Sequence, residues 1–121
     1  MRREVLYLAD IVEAIGKASA YLEGVTREDF GDDEMRQDAV IRQLMVIGEA
    51  ASAVSDDLRA NSPAIPWRLI RGMRNTLVHE YFGVDLDIVY NVATRDAPDL
   101  AQAVLDQLFE LDPDVAKRFV R

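Results

Sequence analysis

The chain has 121 residues, half of them apolar and 30% charged, which is the composition of a globular protein with one core. Its formal net charge of −8 argues against broad, non-specific adhesion to nucleic acid. The absence of cysteine excludes disulfides and thiolate metal ligands, and it fits a reducing cytoplasm. No window approaches the roughly 18 apolar residues of a membrane span. We therefore predict a cytoplasmic protein whose residues 1–121 form one domain, with no membrane segment.

The first two predicted elements are long amphipathic helices. One covers about residues 3–23, where mostly apolar residues recur at helical spacing before a glycine. The other covers about residues 33–60, with a near-heptad apolar seam and with Asp32 or Asp33 as its cap. We expect Phe30, in the link between these helices, to pack back on the bundle.

Proline, glycine and aspartate delimit three further predicted helices. Pro66 takes the first position of a third helix, over about residues 66–81, because its missing N–H is not needed there, and Gly83 ends that helix. Asp85 caps a fourth helix and Pro98 opens a fifth. The chain shows no strand pattern, repeat or low-complexity tract. We predict an all-α fold, an antiparallel bundle of four to five helices.

The only histidine, His79, lies on the third predicted helix, within the stretch "RGMRNTLVHEYFGVD". On a wheel of 100° per residue it shares a face with Arg68 and Asn75. The opposite, apolar face carries Ile70, Met73, Leu77 and Tyr81. A histidine packed in the core is therefore the weaker interpretation, and a histidine that exchanges protons near neutral pH is the stronger one.

Three arginines surround this histidine segment, Arg68, Arg71 and Arg74. A solvated helix face is the simplest explanation for arginines alone. Together with a histidine, however, an arginine allows phosphodiester chemistry on RNA, whose 2′-hydroxyl is a built-in nucleophile. The histidine moves the proton, and the arginine stabilises the growing phosphate charge. A metal site is less well supported, since the acidic run "GDDE" is more simply a helix cap, and we predict neither metal nor cofactor.

Arg74 presents a geometric problem, because it lies beside the core face, roughly 140° around an ideal helix from His79. Two groups five residues apart cannot converge on one small substrate from a single regular helix. Either the helix distorts near His79, or a second copy of the chain supplies the complementary group. A symmetric dimer that packs these helices together would place two such pairs around one cleft.

The segment "RNTLVHEY" resembles the RX4HXY signature of HepT-like toxins in the HEPN superfamily, with Arg74, His79 and Tyr81 at the three defined positions. Further segments resemble that family's landmarks in the same order: "YLADIVEAI", "DAVIRQLMVIGEAA", "PAIPWRLIRGMRN", "YFGVDLDIVYNV" and "DAPDL". The resemblance covers about residues 3–110. It explains least about the tail, residues 111–121, which is either frayed or docked on a partner.

The resemblance implies a homodimer, or a higher even oligomer, that acts as a metal-independent endoribonuclease toxin on RNA. It implies that Arg74 and His79 are catalytic at the dimer interface, with Asn75 as a supporting polar neighbour. It also implies that a partner antitoxin, a nucleotidyltransferase of the MntA type, attaches AMP to Tyr81. A core-edge aromatic with a hydrogen-bonded hydroxyl is the structural alternative for Tyr81.

Two positions outside the signature are secondary candidates, with Arg71 as a further supporting cation. Glu49, in "VIGEAA", either orients Arg74 or His79 or forms a structural ion pair buried in the bundle. Trp67 is most simply a core or interface anchor, with RNA stacking as a distant second role.

A different class of function competes with the toxin interpretation. The same dimer would then be a helical module that binds a nucleotide or a protein partner without cleaving anything. The Arg74 and His79 pair separates the two hypotheses, because a scaffold does not require it. A purely structural bundle with an accidental motif is disfavoured by the ordered landmarks.

Overall fold

The structure, a computed structural model, describes residues 2–79 and 83–120, and within them the side chains of all residues except Arg2, Val78 and His79. This part of the chain forms helices and no strand, which confirms the predicted all-α fold. None of its helices is long and apolar enough to cross a membrane. In chain order the α-helices are α1 (Arg2–Tyr21), α2 (Arg27–Gly31), α3 (Glu34–Ala53), α4 (Asp56–Asn61), α5 (Trp67–His79), α6 (Leu86–Asn91), α7 (Ala97–Leu111) and α8 (Pro113–Ala116).

Helix α1 is antiparallel to α3, and hydrogen bonds join the start of each helix to the end of the other. The carboxylate of Glu4, near the start of α1, accepts the N–H of Ser55 just beyond α3, at 3.1 Å. At the other end, Arg36 donates to the carbonyl of Tyr21 at 3.3 Å. Helix α1 also packs on α7, and α5 packs on α3. The largest fully buried side chains come from these layers and the α1–α3 link: Leu8, Ile11, Phe30, Val40, Leu44, Ile47, Val104 and Leu108.

The second predicted helix is wrong as a single element over residues 33–60. Its start is confirmed, since Asp33 accepts the N–H of Arg36 at 3.0 Å. Its continuity fails at Val54, which is extended (φ −68°, ψ 140°). The next residue, Ser55, begins α4 by accepting the N–H of Leu58 through its hydroxyl, at 3.2 Å. A serine hydroxyl can accept an N–H of the next turn, which favours a new helix start over continuation of the helix before it. Here Ser55 forms this cap.

The predicted fifth helix is confirmed as α7, which begins at Ala97 with Pro98 in its first turn, but no loop separates it from the fourth helix. Helix α6 passes into α7 through a π-helical turn, Val92–Asp96, and the backbone stays in the α region at both junctions. Ala97 donates to the carbonyl of Val92, five residues back. Pro98 has no N–H and its ring crowds the carbonyl four residues earlier, so one wider turn relieves that conflict without ending the helix. The predicted cap of α6 is confirmed, since Asp85 accepts from Asp87 N at 2.9 Å.

Smaller differences concern the remaining boundaries and the tail. Helix α5 begins at Trp67, one residue after the predicted start. The link after α1 contains the short helix α2, and Phe30 is buried as expected. The tail is not frayed over its described part. It forms α8 and a 3₁₀ turn, it buries Ala116, and Phe119 packs against the core of its own chain.

Candidate functional site

Helix α5 has the two faces that its sequence predicts. Ile70 and Leu77 are buried and Met73 is half-buried against the core, whereas Arg68 and Asn75 are exposed on the opposite side. At its start, Trp67 packs on the core and donates its indole N–H to Ser62 O at 3.2 Å. The anchor role predicted for Trp67 is the one its contacts support. Contacts with α3 determine the orientation of Arg74, a basic residue of α5.

Arg74 lies where α5 passes closest to α3. A Cβ atom added at Gly48 would overlap the Cβ of Arg74 and would lie 3.2 Å from its Cα. Gly48 sits inside a helix of 20 residues, where glycine costs about 0.5–1 kcal/mol relative to alanine. The stem of Arg74 occupies the space that any larger residue at Gly48 would fill.

The guanidinium of Arg74 is held by its two polar neighbours. Its Nε and Nη2 both donate to Glu49 Oε1, at 2.9 Å and 2.6 Å. Its Nη1 donates to Asn75 Oδ1 at 3.1 Å. The side chains of Arg74 and Glu49 are 31% and 58% exposed, so the ion pair is at the surface and the alternative of a buried pair is wrong.

The number of N–H groups on Arg74 has a chemical consequence. A guanidinium carries five N–H donors, and the contacts with Glu49 and Asn75 occupy three of them. Within the described residues no acceptor meets the other two N–H groups, one on each terminal nitrogen, and a guanidinium binds the oxygens of a phosphate through such groups. A surface ion pair adds only about 0–1 kcal/mol to stability, so the contact with Glu49 contributes little to the stability of the fold.

An open cleft of about 460 Å³ lies between α1 and α3, on the side of Glu49. Tyr7, Met45 and Val46 give it an apolar surface, and Arg42 and Asp10 stand at its rim. Glu49 lines this cleft, so open space lies beside the carboxylate that holds Arg74. Within residues 2–79 and 83–120, no group of carboxylate or imidazole side chains is arranged to hold a metal ion.

The predicted site residues are therefore brought together only in part. Glu49, Arg74 and Asn75 form one hydrogen-bonded cluster, and Arg71 is exposed one turn earlier on the same helix. His79 is the last residue of α5 that the structure describes, and its side chain lies outside the described part, as does all of Tyr81. Their predicted roles in catalysis and modification stay predictions.

Helix α5 is a continuous α-helix from Trp67 to His79. The predicted alternative in which the helix distorts between Arg74 and His79 finds no support in this backbone. The two residues keep the divergence of roughly 140° that regular helical geometry gives them.

Comparison with the sequences of known proteins places this chain in a family. The family described as "Ribonuclease HepT-like" matches residues 11–106. The chain belongs to this family, whose match includes Glu49, Arg74 and His79. A "Probable ribonuclease HepT" of Thermococcus cleftensis is 42% identical over 94 residues, which cover 78% of this chain and 86% of that protein.

A second relative is longer than this chain. A "Gamma-glutamylcyclotransferase and putative RNase" of Methanocaldococcus jannaschii is 36% identical over 120 residues. The matched residues make up 98% of this chain and 54% of that protein, so the chain spans about half the relative's length. No solved structure matches the chain.

Gly48 is the residue of the cluster that the sequence interpretation missed. A signal was present: a glycine in the interior of a long helix, directly before a candidate acid. Interior glycines weaken helices, so they usually mark a close approach of another backbone or side chain. The partner in that approach is not visible from sequence, because it depends on how α5 crosses α3.

Proposed function

We propose that this protein is the toxin of a toxin–antitoxin system and cleaves RNA as a metal-independent endoribonuclease. The observation that carries the proposal is the state of Arg74. Its guanidinium is fixed by Glu49 and Asn75 at the protein surface, and within the described residues two of its N–H donors have no acceptor and are available to an anion. Membership of the HepT-like ribonuclease family supports phosphodiester cleavage as the use of that site.

The proposed reaction needs only groups of this chain and of RNA. His79 takes the proton of a 2′-hydroxyl, and the 2′-oxygen attacks the adjacent phosphorus. The bond from phosphorus to the 5′-oxygen breaks, and that oxygen receives a proton from the imidazolium. The products are a 2′,3′-cyclic phosphate and a 5′-hydroxyl. Arg74 stabilises the negative charge that grows on the phosphate oxygens, with Arg71 as a nearby second cation.

We propose further that the active species is a two-fold dimer, or a higher even oligomer, with α5 near the axis. The divergence of Arg74 and His79 on one regular helix supports a site completed by a second chain. Leu69, 74% exposed on α5, supplies apolar surface for such a contact. It borders a groove of about 530 Å³ between α5 and α6, whose other edge carries the exposed Ile88.

A charge placed on this surface should break the dimer. We expect Leu69→Glu to be monomeric by light scattering at micromolar concentration and to lose RNA cleavage, because an unpaired carboxylate opposes burial at an interface. Met35→Glu is the matched control, since Met35 is an exposed apolar residue of α3, 84% exposed, outside the groove. An active monomer of the wild type would contradict the composite site.

Control of the toxin is proposed to act through Tyr81, two residues beyond His79 in the sequence. A nucleotidyltransferase antitoxin of the MntA type would attach AMP to its hydroxyl. The added phosphate brings negative charge near the cationic site and opposes an incoming RNA phosphate.

A binding module without catalysis is the competing function. The fixed Arg74 fork suits a bound nucleotide phosphate as well as one in transfer, so geometry at this residue alone favours neither. Expression in cells separates the two functions. We expect the wild-type protein to arrest growth and fragment cellular RNA, and His79→Ala to do neither at equal abundance. Growth arrest with intact RNA would favour the binding module, and arrest by both variants would contradict a role for His79.

A further inference from the structure

We propose that Gly48 is a positioning residue for Arg74, and that it acts together with Glu49 as a two-residue clamp on α3. Gly48 receives the stem of the arginine, and Glu49 receives its guanidinium. The inference rests on the proposed function, because it assigns Gly48 a part in the same site. Gly48 acts only because it lacks a Cβ atom, which leaves room for the stem of Arg74.

The two ends of Arg74 need separate constraints. The ion pair with Glu49 is more than half exposed on the carboxylate side, and such pairs alone hold a long side chain weakly. The contact at Gly48 acts on the first carbons of the side chain, within the buried layer between α3 and α5. With the stem fixed there, the guanidinium meets the next residue of α3 with few other rotamers available.

A methyl group at Gly48 therefore has a defined consequence. The clash falls on the Cβ and Cγ atoms of Arg74, not on the far end of a flexible chain, so the arginine cannot simply turn aside. Because the backbone fixes the position of the Arg74 Cβ, another rotamer does not relieve this clash, and helix α5 must shift away from α3. That shift moves the fork relative to a bound phosphate, and a displacement of about 1 Å is enough to cost about 10²-fold in rate.

Two other helical glycines provide matched controls. Gly16 on α1 and Gly72 on α5 have open space where a Cβ would stand, and both are exposed. Alanine at either position removes the same conformational freedom without touching Arg74. Gly72→Ala is the stricter control, because it lies on the same helix, two residues from the arginine.

The kinetic test uses RNA cleavage by purified dimers. We expect Gly48→Ala to lower kcat by about 10²-fold with a smaller change in KM, and Gly16→Ala and Gly72→Ala to keep wild-type values. In an Arg74→Lys background, Gly48→Ala should add much less than that factor, because its effect acts through the arginine. An equal loss in both backgrounds would overturn the positioning role and leave Gly48 as a packing residue.

A second measurement does not depend on cleavage. The Nε–H resonance of Arg74 in a ¹H–¹⁵N spectrum, assigned by its loss in Arg74→Lys, reports the hydrogen bond to Glu49. We expect this resonance to shift and to exchange faster with water in Gly48→Ala but not in Gly72→Ala. An unchanged resonance in a folded Gly48→Ala protein would overturn the clamp. If the wild type cleaves no RNA yet the resonance responds as expected, the proposed function fails while the positioning role stands.

Discussion

Arg74→Ala is expected to reduce RNA cleavage by about 10²–10³-fold or more, which is the loss seen when one preorganised donor to a developing oxyanion is removed. The variant loses the two N–H groups left for phosphate and leaves the carboxylate of Glu49 without its cation, so the site becomes repulsive to RNA. Initial rates on a labelled RNA measure the effect. The helical circular dichroism spectrum should remain, since the Arg74–Glu49 pair is at the surface and contributes little to stability.

Two further variants separate the fork from its charge. Arg74→Lys keeps the cation but loses the planar fork, and we expect it to recover only a small part of the lost rate. Arg95→Ala removes one positive charge from an exposed position in the turn between α6 and α7. Cleavage by Arg95→Ala should match the wild type. If Arg95→Ala were as defective as Arg74→Ala, overall charge and not the position of Arg74 would explain the loss.

Tyr81→Phe is expected to leave the toxin fully active and to make it resistant to a co-expressed nucleotidyltransferase antitoxin. The substitution keeps the aromatic ring and removes only the oxygen that would accept AMP. Growth of cells that express both proteins measures the effect, since the wild type should be neutralised and Tyr81→Phe should not. Mass spectrometry of the co-expressed wild type should find AMP on Tyr81.

Tyr21→Phe is the control for this experiment, because Tyr21 ends α1 and is half-buried. It should be neutralised as well as the wild type. Equal neutralisation of Tyr81→Phe, or the absence of AMP from Tyr81, would contradict the proposed control. The tyrosine would then have only a structural role.

The main helices could be predicted because their signals are local. Apolar spacing located α1 and the faces of α5, and the caps at Asp33 and Asp85 follow from side chains that reach their own next turn. The error at Val54 and the unforeseen join between α6 and α7 have another origin. At Val54 the helical spacing of apolar residues competes with the capping hydroxyl of Ser55. Between α6 and α7 a π turn accommodates Pro98 without a loop, and neither outcome follows from apolar spacing alone.

The candidate site could be predicted only as far as residue type and helical face allow. The wheel placed Arg74 beside the core face, and the structure confirms this by packing its stem against α3. Glu49 was a candidate because it lies in a segment that resembles the family's landmarks, but its contact with the guanidinium depends on the crossing of α3 and α5, which no local pattern encodes. For the same reason the sequence did not reveal Gly48, whose importance comes only from its neighbour on α5.

The central claim is that Arg74 and His79 cleave RNA through its own 2′-hydroxyl, without a metal. The most direct test incubates purified protein, in excess EDTA, with an RNA and with the same sequence made entirely of 2′-deoxynucleotides. We predict cleavage of the RNA alone, with products that end in 2′,3′-cyclic phosphate and begin with 5′-hydroxyl, and no cleavage of either by His79→Ala. Cleavage of the deoxy strand, loss of activity in EDTA, or full activity of His79→Ala would contradict the account.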